Sequence, residues 1–300
     1  MNQTNPASMG ESSTRRNVYE IVTEQIIRQL EQGVAPWHKP WRTEAPCNLV
    51  SGKPYRGINV FLLASQGYES RYWLTFNQAK KLGGHVKKGE HSSLVTFWNI
   101  GEEKIVRDTN GNERKSRPFL LKFYRIFNVC QTEGIAEKLG LGKYAHRVAS
   151  IEQCEAIVKG MPNTPRTEQS DRAWYRPSTD TVGMPSKPLF NSSEEYYSTL
   201  FHELTHSTGH ASRVGREGIE QLNTFGSESY SKEELIAEMG AAMLCGLTGL
   251  APQTLENSAA YLQSWLRVLK SDSRMVVMAA SAAQKAVDYI LGKSHGETAS

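Results

Sequence analysis

Residues 201–210 read FHELTHSTGH, with His202 and His206 four apart and Glu203 directly after the first. On a helix this spacing puts both imidazoles on one face, one turn apart, where they can reach a single Zn²⁺ at about 2.0–2.1 Å. Glu203 beside them can take a proton from water on the metal and pass it on. H-E-x-x-H is the pattern of metal-dependent peptide hydrolysis, and by chance it is expected in only about one chain in a hundred of this histidine content. His210 lies about 12 Å from His202 along a straight helix, at 1.5 Å per residue. One ion cannot bind both, so His210 reads as a surface or supporting histidine. The longer form H-E-x-x-H-x-x-G-x-x-H also fails: Gly209 is in place, but Ser212 stands at the last position. The third ligand must therefore come from another element. Glu234 and Glu238, four apart, share one face of a downstream helix. Leu235, Met239 and Ala242 lie near that face and argue that it turns inward.

The elements that must position these groups follow from local signals. Ser192 and Glu195 have the spacing of a capping box and open a helix that runs through His206 or beyond. Ser231 and Glu234 repeat the signature ahead of LIAEMGAAMLCGL. Two more helices are expected near 254–270 and 273–291. AWYRPSTDTVGMP has extended character and MPNTPRTEQSD reads as a loop. In the first half, Tyr19, Val22, Ile26 and Leu30 share a face of a helix near Thr14–Gln32, which Gly33 stops. The prolines of APWHKPW favour extended chain. YRGINVFLL, RYWLTF, SLVTFWNI and FLLKFYRIFNV read as β runs, NQAKKLG as a helix, and residues 101–117 as a hairpin with DTNGN at its tip. The fold class expected is α+β, with a mixed first unit and a mainly helical second unit carrying a small sheet.

Charge divides the chain in the same place. Residues 1–150 hold 22 Lys and Arg against 13 Asp and Glu, and residues 151–300 hold 13 against 18. The basic half is the one suited to a polyanion. The four cysteines stand far apart with no C-x-x-C, which argues against a disulfide framework or cysteine-held zinc and for a reducing cytoplasm. No apolar run approaches the ~18 residues that span a bilayer, so no membrane partner is expected. The start lacks the apolar core of a secretory signal and reads as a disordered polar tail.

Within the basic half, aromatic and cationic residues interleave. Trp37, Lys39, Trp41 and Arg42 come first, then Lys53, Tyr55 and Arg56, then Trp73, then Lys80, Lys81, Lys87 and Lys88. Phe97, Trp98, Lys122, Tyr124, Arg125 and Phe127 continue the pattern. Aromatic faces stack unpaired bases while Lys and Arg pair with phosphates, which suits a single strand better than a duplex. Individually, most such aromatics are core residues.

A resemblance sharpens both readings. PWHKPW, SGKPYRGINVFLL, YWLTFNQAKKLGGHVKKGEHSSLVTFW and FYRIFNVCQTEG resemble the N-terminal domain of ArdC-type antirestriction proteins, also found at the front of some plasmid primases. AWYRP through SEEYYSTLFHELTHSTGH to EELIAEMGAAMLCG is similar to the zincin-like metallopeptidase domain paired with it. The resemblance implies binding of single-stranded DNA by the first domain and protection of incoming conjugative DNA from restriction. In glutamate zincins the first acid of E-x-x-x-[DE] binds the metal and the second supports a ligating histidine. That implies Glu234 as ligand and Glu238 behind it, with the reverse open. It also implies Zn²⁺, with Mn²⁺ or Co²⁺ as alternatives, and an edge strand near Thr181–Met184 that holds an extended peptide. A transition-state donor is sought among Tyr175, Tyr196, Tyr230 and Arg213.

The organisation expected is a tail at 1–13, a DNA-binding domain at 14–135, a linker with some helix at 136–170, a metallopeptidase-like domain at 171–292 and a tail at 293–300. Three activities fit this pairing: antirestriction with peptidase chemistry, DNA binding or masking alone with a non-catalytic metal site, and DNA-directed proteolysis of DNA-bound proteins. A restriction-enzyme complex is the candidate protein partner.

Overall fold

The computed structural model describes residues 17–38, 45–102, 104–107, 113–116, 119–140, 150–216, 219, 228–250 and 258–293. Helix α1 (Val18–Glu31) starts where Asn17 and Glu20 close a capping box, and Val22, Ile26 and Leu30 are its buried positions. Such a cap contributes about 1 kcal/mol. Gly33 follows at φ +76°, a left-handed position that glycine takes without strain. Pro36–His38 then forms a 3-10 turn rather than extended chain. The fixed φ of Pro36 suits the first position of such a turn.

The first half continues with β1 (Cys47–Asn48), α2 (Ile58–Ala64), β2 (Tyr72–Leu74), α3 (Phe76–Lys81), β3 (His85–Val86) and β4 (Ser93–Ile100). After them come β5 (Lys104–Arg107), β6 (Glu113–Ser116), β7 (Phe119–Asn128) and β8 (Thr132–Glu133). Four strands make one sheet in the order β1-β2-β7-β4, β3 pairs with β8, and β5 and β6 form the expected hairpin. The run INVFLLA is a helix, not a strand. All of Ile58 to Leu63 is buried, so the segment is covered on every side and carries neither period.

The second half holds α4 (Ile151–Gly160), β9 (Arg166–Gln169), β10 (Trp174–Arg176), β11 (Thr181–Met184), α5 (Ser193–Ser207), α6 (Glu228–Thr248), α7 (Ser258–Ser271) and α8 (Met275–Ile290). Part of the expected loop is β9, a polar strand paired parallel to β11. Strand β11 pairs antiparallel with β10 on its other side. Thr181–Met184 is therefore the middle strand, and the free edges of this sheet are β9 and β10. Ser192 caps α5 as expected, accepting from the Glu195 N–H. Ser231 lies inside α6 rather than ahead of it, and its hydroxyl meets Ser264 at 2.6 Å. Among the described residues no helix is long and apolar enough to cross a membrane.

One apolar cluster runs through both halves. Val22, Ile26, Leu30, Trp37, Phe61 and Leu62 of the first pack with Leu244, Trp265, Val276, Ala280 and Val287 of the second. Polar contacts tie the same seam. Thr23 Oγ1 donates to Ser273 O at 2.6 Å, the Gly57 N–H donates to Gln284 Oε1 at 3.0 Å, and Arg56 pairs with Asp288. The seam is core rather than a wetted junction, so distortion in one half reaches the other.

Candidate metal centre

Helices α5 and α6 cross closely enough to build a shared site. A Cβ at Gly240 would stand 2.5 Å from Thr205 Cγ2, and Thr205 is held by its hydroxyl on the Phe201 carbonyl at 2.7 Å. Only glycine admits this approach. It brings Glu234 of α6 over the His202–His206 face of α5.

The two Nε2 atoms converge to 3.1 Å. Glu234 faces both: Oε2 lies 3.5 Å from His202 Nε2, and Oε1 lies 3.7 Å from His206 Nε2. Among the described residues, His202, His206 and Glu234 are the group whose ligand atoms all fall within 4.8 Å of one another. The opposite edges of the rings are served by other carboxylates. Glu238 Oε1 faces His202 Nδ1 at 3.8 Å, and Glu233 Oε1 faces His206 Nδ1 at 3.2 Å. Arg216 in turn donates to both oxygens of Glu233. Glu234 thus faces both Nε2 atoms, and Glu238 lies behind His202. Glu233 and Arg216 were not singled out from the sequence. Glu233 is adjacent to the ligand but off the i, i+4 face, and it meets His206 only because the helices cross.

Electrostatics match a cationic centre. Burial pulls His202 down, but Glu234, Glu238 and Glu203 outweigh it and lift the imidazole to about 9. Burial pushes Glu234 up, yet hydrogen bonding to His202, the charge of both histidines and the Tyr230 hydroxyl bring it down to about 2. Glu233 is also lowered: burial acts upward and is overcome by His206 and Arg216. Glu203, buried in α5, is raised by that burial, with the imidazoles pulling partly back.

The donor set fits a divalent ion. Two Nε2 atoms and one carboxylate meet at a point; Glu233 is within hydrogen-bond distance of His206 Nδ1, and Glu238 faces His202 Nδ1 from 3.8 Å. Glu238 Oε1 is buried without a hydrogen-bond partner and faces the Nδ1 that must carry the proton when Nε2 binds metal. Of the expected transition-state donors, Tyr230 reaches the cluster, through Glu234. Tyr175 and Arg213 are both committed to Asp180, at 2.9 Å and 2.7–2.8 Å. Tyr196 packs against Phe190 and Lys187. His210 lies beyond the end of α5 and bonds Ser212 at 2.8 Å, away from the cluster.

Comparison with known proteins gives the same division. The N-terminal domain of anti-restriction factor ArdC matches residues 16–127, and the zincin-like metallopeptidase matches residues 152–282. The chain is similar to the crystallised antirestriction ArdC protein of plasmid R388 in its metal-free form. Identity is 40%, the TM-score is 0.74, and the match covers 92% of this chain and 97% of that one.

The chain belongs to the ArdC antirestriction family.

The Mn(II)-bound structure of the same R388 protein matches with a TM-score of 0.73 at 38% identity, over 94% of this chain and 99% of that one. A DNA primase TraC of Escherichia coli is 36% identical over 93% of this chain, which spans only 27% of the primase. The uncharacterized protein y4eC of Sinorhizobium fredii is 33% identical over 92% of both chains. The zincin-like family implies a divalent metal, and the α5–α6 crossing is where this chain gathers ligand atoms that could hold one.

The ArdC N-terminal region redistributes the aromatic candidates. Trp37 is fully buried against Trp265 and Phe61. Trp73 and Tyr55 are buried in a second cluster with Leu63, Val95 and Ile126. As placed, none of the three offers a face to a base, because each fills a core. Arg56 is engaged by Asp288 and Lys87 donates to the Cys130 carbonyl at 3.0 Å. Lys53, Lys80, Lys81 and Lys88 are exposed, while Lys39, Trp41 and Arg42 lie outside the described residues. Among the described residues, the outward-facing aromatics are Phe76 of α3 and a group on the β4–β7 ladder. Phe97 and Tyr124 are 46% and 50% exposed with ring centroids 5.5 Å apart, and Lys122 lies directly across from Phe97.

Proposed function

We propose that this ArdC-family chain binds single-stranded DNA with its basic half, holds Zn²⁺ at His202, His206 and Glu234, and protects incoming conjugative DNA from restriction in the cytoplasm. Mn²⁺ and Co²⁺ suit the same mixed nitrogen and oxygen donors. The observation that carries the metal reading is the Nε2–Nε2–carboxylate convergence, with a carboxylate behind each histidine. Three protein ligands leave a position open, the arrangement of a catalytic rather than a structural site.

A bound divalent cation supplies Lewis acidity toward a water and a peptide carbonyl. With a cation bound, Glu203, raised by burial, would take a proton from that water and pass it to the leaving amine. Glu233 holds the His206 imidazole in orientation, Glu238 faces His202 Nδ1, and Tyr230 hydrogen-bonds Glu234. The free edges at β9 and β10, not β11, are the places where an extended chain can add to the sheet.

For DNA, Phe97, Leu120, Lys122 and Tyr124 share one face of the β4–β7 ladder, three of them apolar and exposed. An exposed aromatic pair beside a cation supports stacking of unpaired bases. Lys53, Lys80, Lys81 and Lys88 supply exposed positive charge elsewhere on the same half.

The experiment measures metal content, single-strand affinity and restriction protection for wild type, His202→Ala/His206→Ala and Glu203→Gln. One metal in wild type, none in the double variant and one in Glu203→Gln is expected, with protection lost in Glu203→Gln. Protection that survives Glu203→Gln points to masking by DNA binding alone. Cleavage of DNA-bound protein stimulated by single strands points to DNA-directed proteolysis.

A further inference from the structure

The 3-10 turn Pro36–His38 belongs to the half matched by the ArdC N-terminal domain, yet its last residue reaches the metal centre of the other half. His38 Nε2 lies 2.7 Å from Glu238 Oε2, across 200 residues of sequence, with side chains only 11% and 6% exposed. The other oxygen of Glu238 is the one that faces His202 Nδ1 at 3.8 Å. A single carboxylate thus connects the N-terminal half to a metal ligand of the C-terminal half. The His38 end of this connection is held firmly. Trp37, next to His38, is fully buried with its ring 5.3 Å from Trp265 and 6.4 Å from Phe61, and the His38 ring stands edge-on to Trp265 at 6.3 Å. A turn pinned by a buried tryptophan cannot swing its neighbour without opening a packed core.

We infer that His38 is a positioning residue of the metal centre: it holds Glu238 so that Oε1 presents to His202 Nδ1, and the N-terminal half thereby sets how well the C-terminal half retains its metal. The inference rests on His202, His206 and Glu234 being the ligands. Its physical reason is orientation. A buried carboxylate held at one oxygen has its second oxygen aimed, and a ligating imidazole with its Nδ1–H so aimed keeps Nε2 in the coordinating direction. Without His38, Glu238 has two unpartnered buried oxygens and a strong incentive to turn toward any other donor.

The test uses the full chain, with Co²⁺ as spectroscopic probe and Zn²⁺ affinity measured by competition with a chromophoric chelator. The amide nitrogen of glutamine falls where His38 Nε2 stands, whereas that of asparagine falls nearer Nδ1 and stops short of Glu238. His38→Asn is expected to weaken Co²⁺ and Zn²⁺ binding about 10-fold or more and to shift the visible Co²⁺ bands. His38→Gln is expected to restore both the affinity and the bands. A folded His38→Asn with wild-type affinity and spectrum overturns the inference. So does equal weakening by Asn and Gln, which would reflect packing rather than the contact. If His38→Asn does not fold, Glu238→Gln carries the test: weakened binding with shifted bands supports the inference, and unchanged binding overturns it. A wild type that takes up neither Co²⁺ nor Zn²⁺ overturns the metal reading itself, and the inference with it.

Discussion

Glu233 Oε1 sits 3.2 Å from His206 Nδ1, on the ring edge opposite the Nε2 that meets His202, and Arg216 grips both of its oxygens. The histidine is thereby oriented by a carboxylate that is itself oriented. Glu233→Gln should keep the fold and lower metal affinity about 10–100-fold, the usual effect of removing such support. Chelator competition for Zn²⁺ checks this, and unchanged affinity would show that His206 needs no partner at Nδ1.

Gly240→Ala tests the helix crossing. The new methyl would meet Thr205 Cγ2 at 2.5 Å, on a side chain with no freedom to retreat. Overpacking of this kind costs about 1–3 kcal/mol. Moving α6 outward also draws Glu234 away from the histidines. Chemical denaturation should show lower stability, and metal content should fall with it. Unaltered stability would mean that the helices adjust without strain.

The aromatic residues of the basic half should separate into two classes. Phe97→Ala and Tyr124→Ala should weaken single-strand binding by about 1–3 kcal/mol for each stacked base while leaving stability near wild type. Trp37→Ala should instead cost about 3–5 kcal/mol of stability, because it empties a core position. Fluorescence anisotropy beside urea melts distinguishes them. Wild-type DNA affinity in the Phe97/Tyr124 double variant would move the binding surface elsewhere. Affinity should also fall with salt, as phosphate contacts by lysines require.

Asp180 gives a pH prediction. Burial pushes its carboxyl up, but Arg213 and Tyr175 outweigh this and hold it below its ordinary value. A lowered folded-state value means that the contribution is complete above the unfolded value, about 3.9, and is lost as pH falls through the lower folded one. The Arg213 side chain is 0% exposed, so Asp180→Asn strands a buried cation. That should cost about 3–5 kcal/mol at neutral pH. The gap between wild type and variant should close in urea melts below about pH 4, and a gap that persists there would assign the effect to the hydrogen bonds instead of the charge.

Much of this was legible in the residues, and the exceptions share a cause. His202, Glu203 and His206 were readable because their relation is one turn of one helix, which local spacing encodes. The strands β2, β4 and β7 and the hairpin β5–β6 were readable from their β-rich runs and the turn between them. Segment 58–64 was misread because burial on every side erases the period that separates helix from strand. Strand β9 was missed because a polar edge strand owes its place to backbone pairing with β11, not to its side chains. Trp37 and Trp73 looked like stacking residues because composition cannot say which face of an aromatic will be covered.

The sequence by itself determined that an H-E-x-x-H helix, two candidate acids and a basic half exist, since each is a matter of residue type and short-range spacing. Tertiary structure alone decided which acid faces both Nε2 atoms and which carboxylates stand behind the rings. It also decided that the halves share one core and that His38 meets Glu238 across 200 residues. Those choices depend on how helices cross and which side chains a packed interior brings together, and no local pattern in the chain encodes that.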